Sequence, residues 1–204
     1  MSINWYPGHM ARARRVMVED LKNVDIVDKL SYACFNFKET AKERNLKLSF
    51  EHDDRKVIIA ADPKALYKIF NNLLHNAIKY SESYVNVILH ATDEFVDVIF
   101  SNDGPRIEGK RREDIFKPFV QFSSDHAPYS QSFGIGLSFA RSLAELHGGS
   151  LTLAESQDTS FVLRLPNEKV KASVSAELPQ EEISANPSLP LLMLVEDNHE
   201  LQTY

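Results

Sequence analysis

The chain has 204 residues, of which 43% are hydrophobic and 25% charged, a balance typical of one or two soluble domains. Its formal net charge of −6 argues against a general nucleic-acid-binding protein. The single cysteine, Cys34, excludes a disulfide framework, fits a reducing compartment and is predicted to be a small core residue. No segment approaches the roughly 20 apolar residues of a membrane helix, so we expect a soluble, cytoplasmic chain that makes no membrane contact itself.

The first part of the chain is predicted to contain two helices and two strands. Residues 1–23 are interpreted as a separate piece, with a short basic helix over ARARRVMVEDLKN that ends near Asn23. A second helix follows VDIV and runs through DKLSYACFNFKETAKER, where apolar residues recur at helical spacing. LKLSFEH alternates and KVIIAAD is compact and β-rich, so both are predicted strands.

The middle of the chain begins with a helix whose start is well marked. Asp62 and Pro63 are residue types preferred at the N-cap and at the first position of a helix, here PKALYKIFNNLLHNAIKY. YVNVILHA and FVDVIFSN are predicted strands joined by a polar turn around Asp93. From Asp103 to Ser132 there is a turn and at most a short helix, and a loop of this length is usually functional or mobile.

The last part returns to regular structure. GIGLSFARSLAELHGG predicts a helix closed by two glycines, and SLTLAES and SFVLRLP predict two strands. Residues 167–188 are interpreted as a linker, and residues 189–204 begin another apolar strand. The order of elements predicts an α+β fold, a two-layer sandwich with helices on one face of a mixed, mainly antiparallel sheet.

A polar ridge interrupts the otherwise apolar helix that contains IFNNLLHNAIKYS. Asn72, Asn76 and Lys79 follow one another at spacings of four and three, which places them on one helical face. Asparagine is a poor helix former, so two in register with a lysine suggest a face directed at a ligand. A pair of asparagines that hydrogen-bond to a neighbouring helix remains an alternative.

Five segments in series resemble the N, G1, F and G2 boxes of sensor histidine kinases. They are NNLLHNAIKYS, NDGPRI, IFKPF, FGIGLSFARSLAELHGGSLTLAES and SFVLRLP. The resemblance is to the catalytic ATP-binding domain of the gyrase, chaperone and kinase superfamily, which has the Bergerat fold, and it covers about residues 24–166. It implies ATP and Mg²⁺ as ligands of this chain.

The resemblance also implies roles for individual residues. Asn76 would present its amide oxygen to Mg²⁺, Lys79 would meet a phosphate, and Tyr80 would pack beside the nucleotide. Asn72 stands where ATP-hydrolysing relatives carry a glutamate base, so the site is expected to hold ATP rather than hydrolyse it. The remaining nucleotide-binding positions that the resemblance implies are Asn102, Asp103, Gly104, Ile107, Phe119, Gly134, Ile135, Gly136 and Leu137.

The sequence departs from the family pattern at three positions. Asn102 aligns with the aspartate that receives the adenine amino group, and Asp103 is the alternative receiver if the loop shifts by one residue. Arg106 replaces a glycine of the G1 box, and Ser132 replaces the first glycine of the G2 box.

Residues 120–133 correspond to the ATP lid. Three aromatic side chains around it are interpreted as packing anchors: Phe116, Phe119 and Phe122.

No histidine has the sequence setting of a phosphoacceptor, so no catalytic residue is predicted on this chain. The seven histidines are interpreted as surface or packing residues: His9, His52, His75, His90, His126, His147 and His199. The chain is therefore expected to be the phosphate-donating half of a kinase. Its expected partners are the dimerisation and phosphoacceptor helices of the parent kinase, and the chain itself is expected to be a monomer.

Both ends resemble other proteins. LLMLVEDN resembles the first strand of a response-regulator receiver, with Glu196 and Asp197 in its acidic pocket, which implies that the parent is a hybrid kinase. An acidic turn after an ordinary strand is the alternative. Separately, the chain is expected to be the cytosolic portion of a membrane-anchored sensor. WYPGHMARARR resembles the opening of ribosome-assembly GTPases as far as about Ile26, but no GTPase motif follows, so a fused segment and a native basic helix both remain open.

Overall fold

The computed structural model describes residues 20–53, 56–109, 111–120 and 134–170. All of them belong to one compact unit, Met1–Lys171. The predicted basic helix before residue 20, most of the predicted linker and the receiver-like strand lie outside the described residues.

The described residues form seven strands and four helices. The strands are β1 (Lys22–Asp25), β2 (Lys47–Glu51), β3 (Ile58–Ala61), β4 (Tyr84–Ala91), β5 (Phe95–Asn102), β6 (Ser150–Leu153) and β7 (Thr159–Pro166). The helices are α1 (Ile26–Glu43), α2 (Pro63–Tyr80), α3 (Arg111–Asp114) and α4 (Gly136–Leu146). None of these helices is both long and apolar enough to cross a bilayer.

Five strands form the main sheet in the order β2-β4-β5-β7-β6. Strand β2 runs parallel to β4, and the other neighbouring pairs are antiparallel. This arrangement confirms the predicted mixed, mainly antiparallel sheet. The predicted strand over KVIIAAD is also present as β3, but it lies outside this sheet.

Strand β1 is a correction to the sequence prediction, which ended a helix near Asn23. Residues Lys22–Asp25 instead pair with β3 in an antiparallel two-stranded ribbon. Val24 is buried opposite Ile59, and this nonlocal pairing outweighs the basic amphipathic pattern that precedes it. Beyond β7, Val170 N donates to Oδ1 of Asn23 at 2.8 Å, so residue 170 lies beside strand β1.

The two long helices begin at capping aspartates. Asp62 accepts hydrogen bonds from N of Lys64 and of Ala65, and Pro63 occupies the first helical position of α2, as the sequence predicts. Asp25 caps α1 in the same way through N of Val27.

The core lies between the sheet and one layer of helices. On β5, Val96, Val98 and Phe100 are fully buried on the face that meets α2, and Phe100 packs against Phe70 with ring centroids 6.3 Å apart. Cys34 is buried in the same core, as predicted, and burial raises the pKa of its thiol to about 12. The observed architecture is the predicted two-layer α+β sandwich.

Candidate functional site

The polar ridge predicted on α2 is present. Asn72, Asn76 and Lys79 are all half-buried on this helix. Asn72 donates from Nδ2 to O of Lys68 at 2.9 Å, so the nitrogen end of its amide is held by its own helix. Among the described residues, the Asn76 side chain has no hydrogen-bond partner, which leaves its amide available to a ligand.

The ridge meets the glycine segment that begins α4. A Cβ placed on Gly136 would lie 2.8 Å from Oδ1 of Asn72, closer than real Cβ contacts allow. A residue larger than glycine here would require the Asn72 amide or the helix to shift. The structure therefore brings together the two parts of the predicted site that are farthest apart in sequence.

The first turn of α4 presents backbone N–H groups without a capping side chain. Ile135 is the N-cap residue, and its side chain accepts no hydrogen bond from the helix. Unpaired N–H groups and the positive end of the helix dipole suit an anion. Ile135 is exposed, whereas Leu137 packs against the core. One side chain of the predicted segment is therefore held by the core and the other is accessible to solvent.

The described residues on either side of segment 121–133 are close together. Phe119 N donates to Gly134 O at 3.0 Å, and both residues have a positive φ. The ring of Phe119 is 75% exposed, and its predicted packing against the lid stays a prediction because most of the lid lies outside the described residues. Phe116 is buried as predicted, with its ring edge-on to Phe161 at 6.1 Å.

Phe122, Ser132, His126, Glu196 and Asp197 lie outside the described residues. Their predicted roles stay predictions.

The turn after β5 is held by Asp103. Its carboxylate accepts hydrogen bonds from N of Glu82, Ser83 and Tyr84 and from Oγ of Ser83. Burial alone would raise the pKa of Asp103, but these hydrogen bonds outweigh it and lower the pKa from 3.8 to about 2. The carboxylate is therefore engaged at the start of β4, which disfavours the alternative in which Asp103 receives the base.

Gly104 lies directly under the end of α2. A Cβ there would be 2.1 Å from O of Tyr80, so any larger residue would displace the turn. Tyr80 is half-buried, and Nζ of Lys79 lies 4.8 Å from the centroid of its ring. The turn that carries the predicted base-binding residues is thus fixed against the ridge.

Sequence reasoning missed Arg112. Its guanidinium donates to O of Leu153 at 2.7 Å, to O of Ala154 at 3.0 Å and to O of Ile107 at 3.4 Å. Arg112 therefore ties α3 and the turn around the predicted residue Ile107 to the end of β6. No sequence signal marks this role, because all three partners are backbone carbonyls.

Among the described residues, one histidine has a packing role and another lies on the surface. The Nδ1 of His147 bonds to O of Leu143 at 2.7 Å, and its Nε2 accepts from N of Asp62 at 3.1 Å. His147 thus joins the end of α4 to the start of α2. His75 is exposed on α2. Among the described residues, no group of three or more His, Cys, Asp or Glu side chains could hold a metal ion.

Comparison with known families identifies the domain. Residues 61–169 match the family of histidine kinase-, DNA gyrase B- and HSP90-like ATPases. The chain belongs to this family. The match spans the ridge on α2, the turn at Gly104 and the start of α4, and it confirms the family that the sequence motifs indicated.

Sensor histidine kinases are among the curated relatives of this ATPase domain. The sensor histidine kinase CusS of Escherichia coli is 26% identical over 153 residues, which are 74% of this chain and 32% of CusS. The heme sensor protein HssS of Staphylococcus epidermidis is 33% identical over 125 residues, which are 60% of this chain and 26% of HssS. The chain spans about a third or less of the length of these relatives.

Solved histidine kinases share the fold of the ATPase domain. The catalytic domain of histidine kinase ThkA, in a nucleotide-free form, has a TM-score of 0.65 at 23% identity, and the match covers 73% of this chain and 99% of that one. Full-length ShkA in complex with AMPPNP has a TM-score of 0.65 at 25% identity, and the match covers 75% of this chain and 32% of ShkA. These likenesses confirm the predicted fold class.

Proposed function

We propose that this chain is the ATP-binding catalytic domain of a hybrid sensor histidine kinase. In this role it donates the γ-phosphate of ATP to a histidine on a dimerisation and phosphoacceptor domain. The observation that carries the proposal is the contact between Asn72 on the ridge and Gly136 at the start of α4. This contact brings the Asn72 amide next to the backbone N–H groups at the start of α4, and the ShkA relative holds AMPPNP.

The residues present suit a nucleotide with Mg²⁺. The unpartnered amide of Asn76 offers a neutral oxygen ligand, which fits a metal that already carries phosphate oxygens. Lys79 supplies a positive charge on the same helical face, and the uncapped first turn of α4 supplies N–H donors for phosphate. When bound, Mg²⁺ neutralises charge on the phosphates during transfer.

The domain is expected to transfer phosphate rather than hydrolyse ATP. Asn72 cannot accept a proton from water, and its Nδ2 is already bonded to O of Lys68. Catalysis would come from positioning of the phosphate for in-line attack by a histidine of another domain. A hydrolysing ATPase of the same family would need a carboxylate on this ridge, and Asn72, Asn76 and Lys79 include none.

The hybrid organisation rests on sequence alone. Residues 189–204 resemble the first strand of a receiver domain, and a receiver is therefore a proposed partner within the same polypeptide. A cytosolic position in a membrane-anchored sensor is likewise proposed from the sensor kinases among the relatives.

Calorimetric titration with AMPPNP and Mg²⁺ tests the proposed site. We expect saturable binding that weakens when Mg²⁺ is chelated, and little phosphate release when ATP replaces AMPPNP. Phosphate should move to a histidine only after the native phosphoacceptor helices are added. A folded chain that binds no AMPPNP at millimolar concentration would contradict the proposal.

A nucleotide-independent interaction module is the second candidate. The departures at Asn102 and Arg106, in the turn that would hold the base, favour it. In that case the titration would give no heat with any nucleotide, although the melting transition would show a folded domain.

A further inference from the structure

Helices α2 and α4 are joined by side-chain contacts at both ends of the surface that they share. At one end, Oδ1 of Asn72 lies 2.8 Å from the position of a Cβ on Gly136. At the other end, Nε2 of His147 accepts a hydrogen bond from N of Asp62 at 3.1 Å. The first residue of α4 thus meets the middle of α2, and the residue after α4 meets the start of α2. The two helices therefore run antiparallel.

The two contacts are matched in spacing along the helices. The 11 residues of α4 span about 16 Å, and the stretch of α2 from Asp62 to Asn72 spans about 15 Å. Two of the three buried residues of α4 are alanines, Ala140 and Ala144, and such short side chains offer little resistance to sliding along the axis. The contacts at the two ends therefore set the position of α4 along α2.

His147 is itself held firmly at the end of α4. Its Nδ1 lies 2.7 Å from O of Leu143 in the last turn of the helix. The chain then turns through Gly148, whose φ is 76°, and N of Gly149 donates to O of Ala144 at 2.9 Å. A Cβ on Gly149 would overlap O of Arg164, so this turn is packed directly on β7. The imidazole ring is therefore fixed to the helix end that it joins to α2.

The two hydrogen-bond partners of His147 determine the tautomer of its ring. The carbonyl of Leu143 can only accept, so Nδ1 carries the hydrogen. The backbone N–H of Asp62 can only donate, so Nε2 is the unprotonated acceptor. The carboxylate of Asp62 caps the helix that follows, and its residue is only 9% exposed, so the ring is the partner of a largely buried N–H group at the start of α2.

We propose that His147 is a positioning residue that sets the N-terminus of α4 beside the α2 ridge. The inference rests on the proposed nucleotide site and adds a residue that controls this site from the far end of α4 without touching the ligand. The hydrogen bond to N of Asp62 prevents α4 from sliding along α2, so the backbone N–H groups that follow Gly136 stay next to Asn72. A shift of about 1 Å at this end would weaken phosphate binding, because hydrogen bonds to a charged acceptor are short and directional.

Two substitutions separate the hydrogen bond to Asp62 from the one to Leu143. Glutamine places its amide near the position of Nε2 and can keep the bond to Asp62, whereas the shorter asparagine places its amide near Nδ1 and loses that bond. We expect His147→Asn to weaken AMPPNP binding roughly fivefold, and His147→Gln to bind within about twofold of the unaltered chain. Calorimetric titration of the full chain with Mg²⁺ measures these affinities at a temperature where circular dichroism shows each variant to be folded. His90→Asn, an exposed position on β4, is the control with the same substitution and should leave the affinity unchanged.

The tautomer gives an independent check that does not involve nucleotide. Nuclear magnetic resonance of the chain with isotope-labelled histidine should show a hydrogen on Nδ1 of His147 and none on Nε2. The reverse pattern would overturn the inference, because Nε2 could then not accept from Asp62.

The titrations can overturn the inference in three ways. Equal affinities of the asparagine and glutamine variants, whether lowered or unchanged, would show that the bond to Asp62 does not position the site. If His147→Asn does not fold, His147→Gln decides: a folded glutamine variant with a clear loss of AMPPNP affinity would contradict the proposed role. Failure of the unaltered chain to bind AMPPNP overturns the proposed function as well, whereas tight binding with no difference between the two variants overturns this inference alone.

Discussion

Asn72 and Gly136 touch across the interface of α2 and α4, with Oδ1 of the asparagine 2.8 Å from the position of a Cβ on the glycine. Asn72 also donates to O of Lys68, so a shift of its amide would disturb this hydrogen bond. The start of α4 is therefore held in place by the ridge that is proposed to bind Mg²⁺ and phosphate. This contact makes the position of the helix N-terminus sensitive to a single methyl group.

Gly136→Ala is expected to weaken both nucleotide binding and the fold. The added methyl must displace either α4 or the Asn72 amide, which we expect to cost about 1–3 kcal/mol of stability and to lower AMPPNP affinity by roughly tenfold or more. Calorimetry and thermal melting measure the two effects. Ser142→Ala, on the exposed side of the same helix, is the control, and Asn72→Ala should relieve the strain in the double variant. Unchanged affinity in Gly136→Ala would contradict the proposed position of the phosphates.

Asn76→Ala is expected to weaken Mg²⁺-dependent binding more than metal-free binding. The amide has no partner among the described residues, so its removal should leave the fold nearly unchanged, with a difference in stability within about 0.5 kcal/mol. Titration of AMPPNP with Mg²⁺ and with a chelator separates the two states. His75→Ala, an exposed neighbour on α2, is the matched control. Equal losses with and without Mg²⁺ would remove the assigned metal role.

The stability of the fold should depend on Asp103 at acid pH. The pKa of Asp103 is lowered from 3.8 to about 2, so its stabilising effect is present above about pH 3.8 and disappears as the pH falls towards 2. We expect Asp103→Asn to lower the free energy of unfolding by about 1 kcal/mol at pH 6, after allowance for solvent screening. The difference in unfolding free energy between this variant and the unaltered chain should become smaller between pH 4 and pH 3. Thermal melting at these pH values measures it. Asp93→Asn, in the exposed β4–β5 turn, should show no such narrowing, and a constant difference for Asp103→Asn would contradict the role of the carboxylate.

Elements whose signals are local were predicted from sequence. The start of α2 depends on the neighbouring residues Asp62 and Pro63, and the alternating burial of β5 depends on residues within the strand. Both were therefore predicted correctly. Strand β1 was missed because its pairing partners lie more than thirty residues away, at Ile58–Ala61.

In the candidate site, too, local features could be predicted from sequence and contacts between distant residues could not. The spacing of the α2 ridge was visible in the sequence, but the choice between Asn102 and Asp103 depended on backbone donors from the start of β4. The partners of Arg112 at Leu153 and Ala154 are 41 and 42 residues away, so no local pattern could indicate them.

Phe116 and Phe119 lie three residues apart, yet their replacement by alanine should change stability by very different amounts. Phe116 is buried against Phe161 and under the guanidinium of Arg141, whose Cζ lies 4.9 Å from its ring centroid, so Phe116→Ala should cost about 3–5 kcal/mol of stability. Phe119 is 75% exposed, so Phe119→Ala should change stability by less than about 0.5 kcal/mol.

The resemblance places Phe119 beside the nucleotide, and its exposed ring beside Gly134 is free of the core. We therefore expect Phe119→Ala to weaken AMPPNP binding by several-fold while thermal melting stays unchanged, because an exposed ring contributes through ligand contact rather than packing. Phe95→Ala, at the start of β5 and 37% exposed, is the control for loss of an accessible ring away from the site. If Phe119→Ala and Phe95→Ala bind AMPPNP equally well, Phe119 makes no contact with the nucleotide.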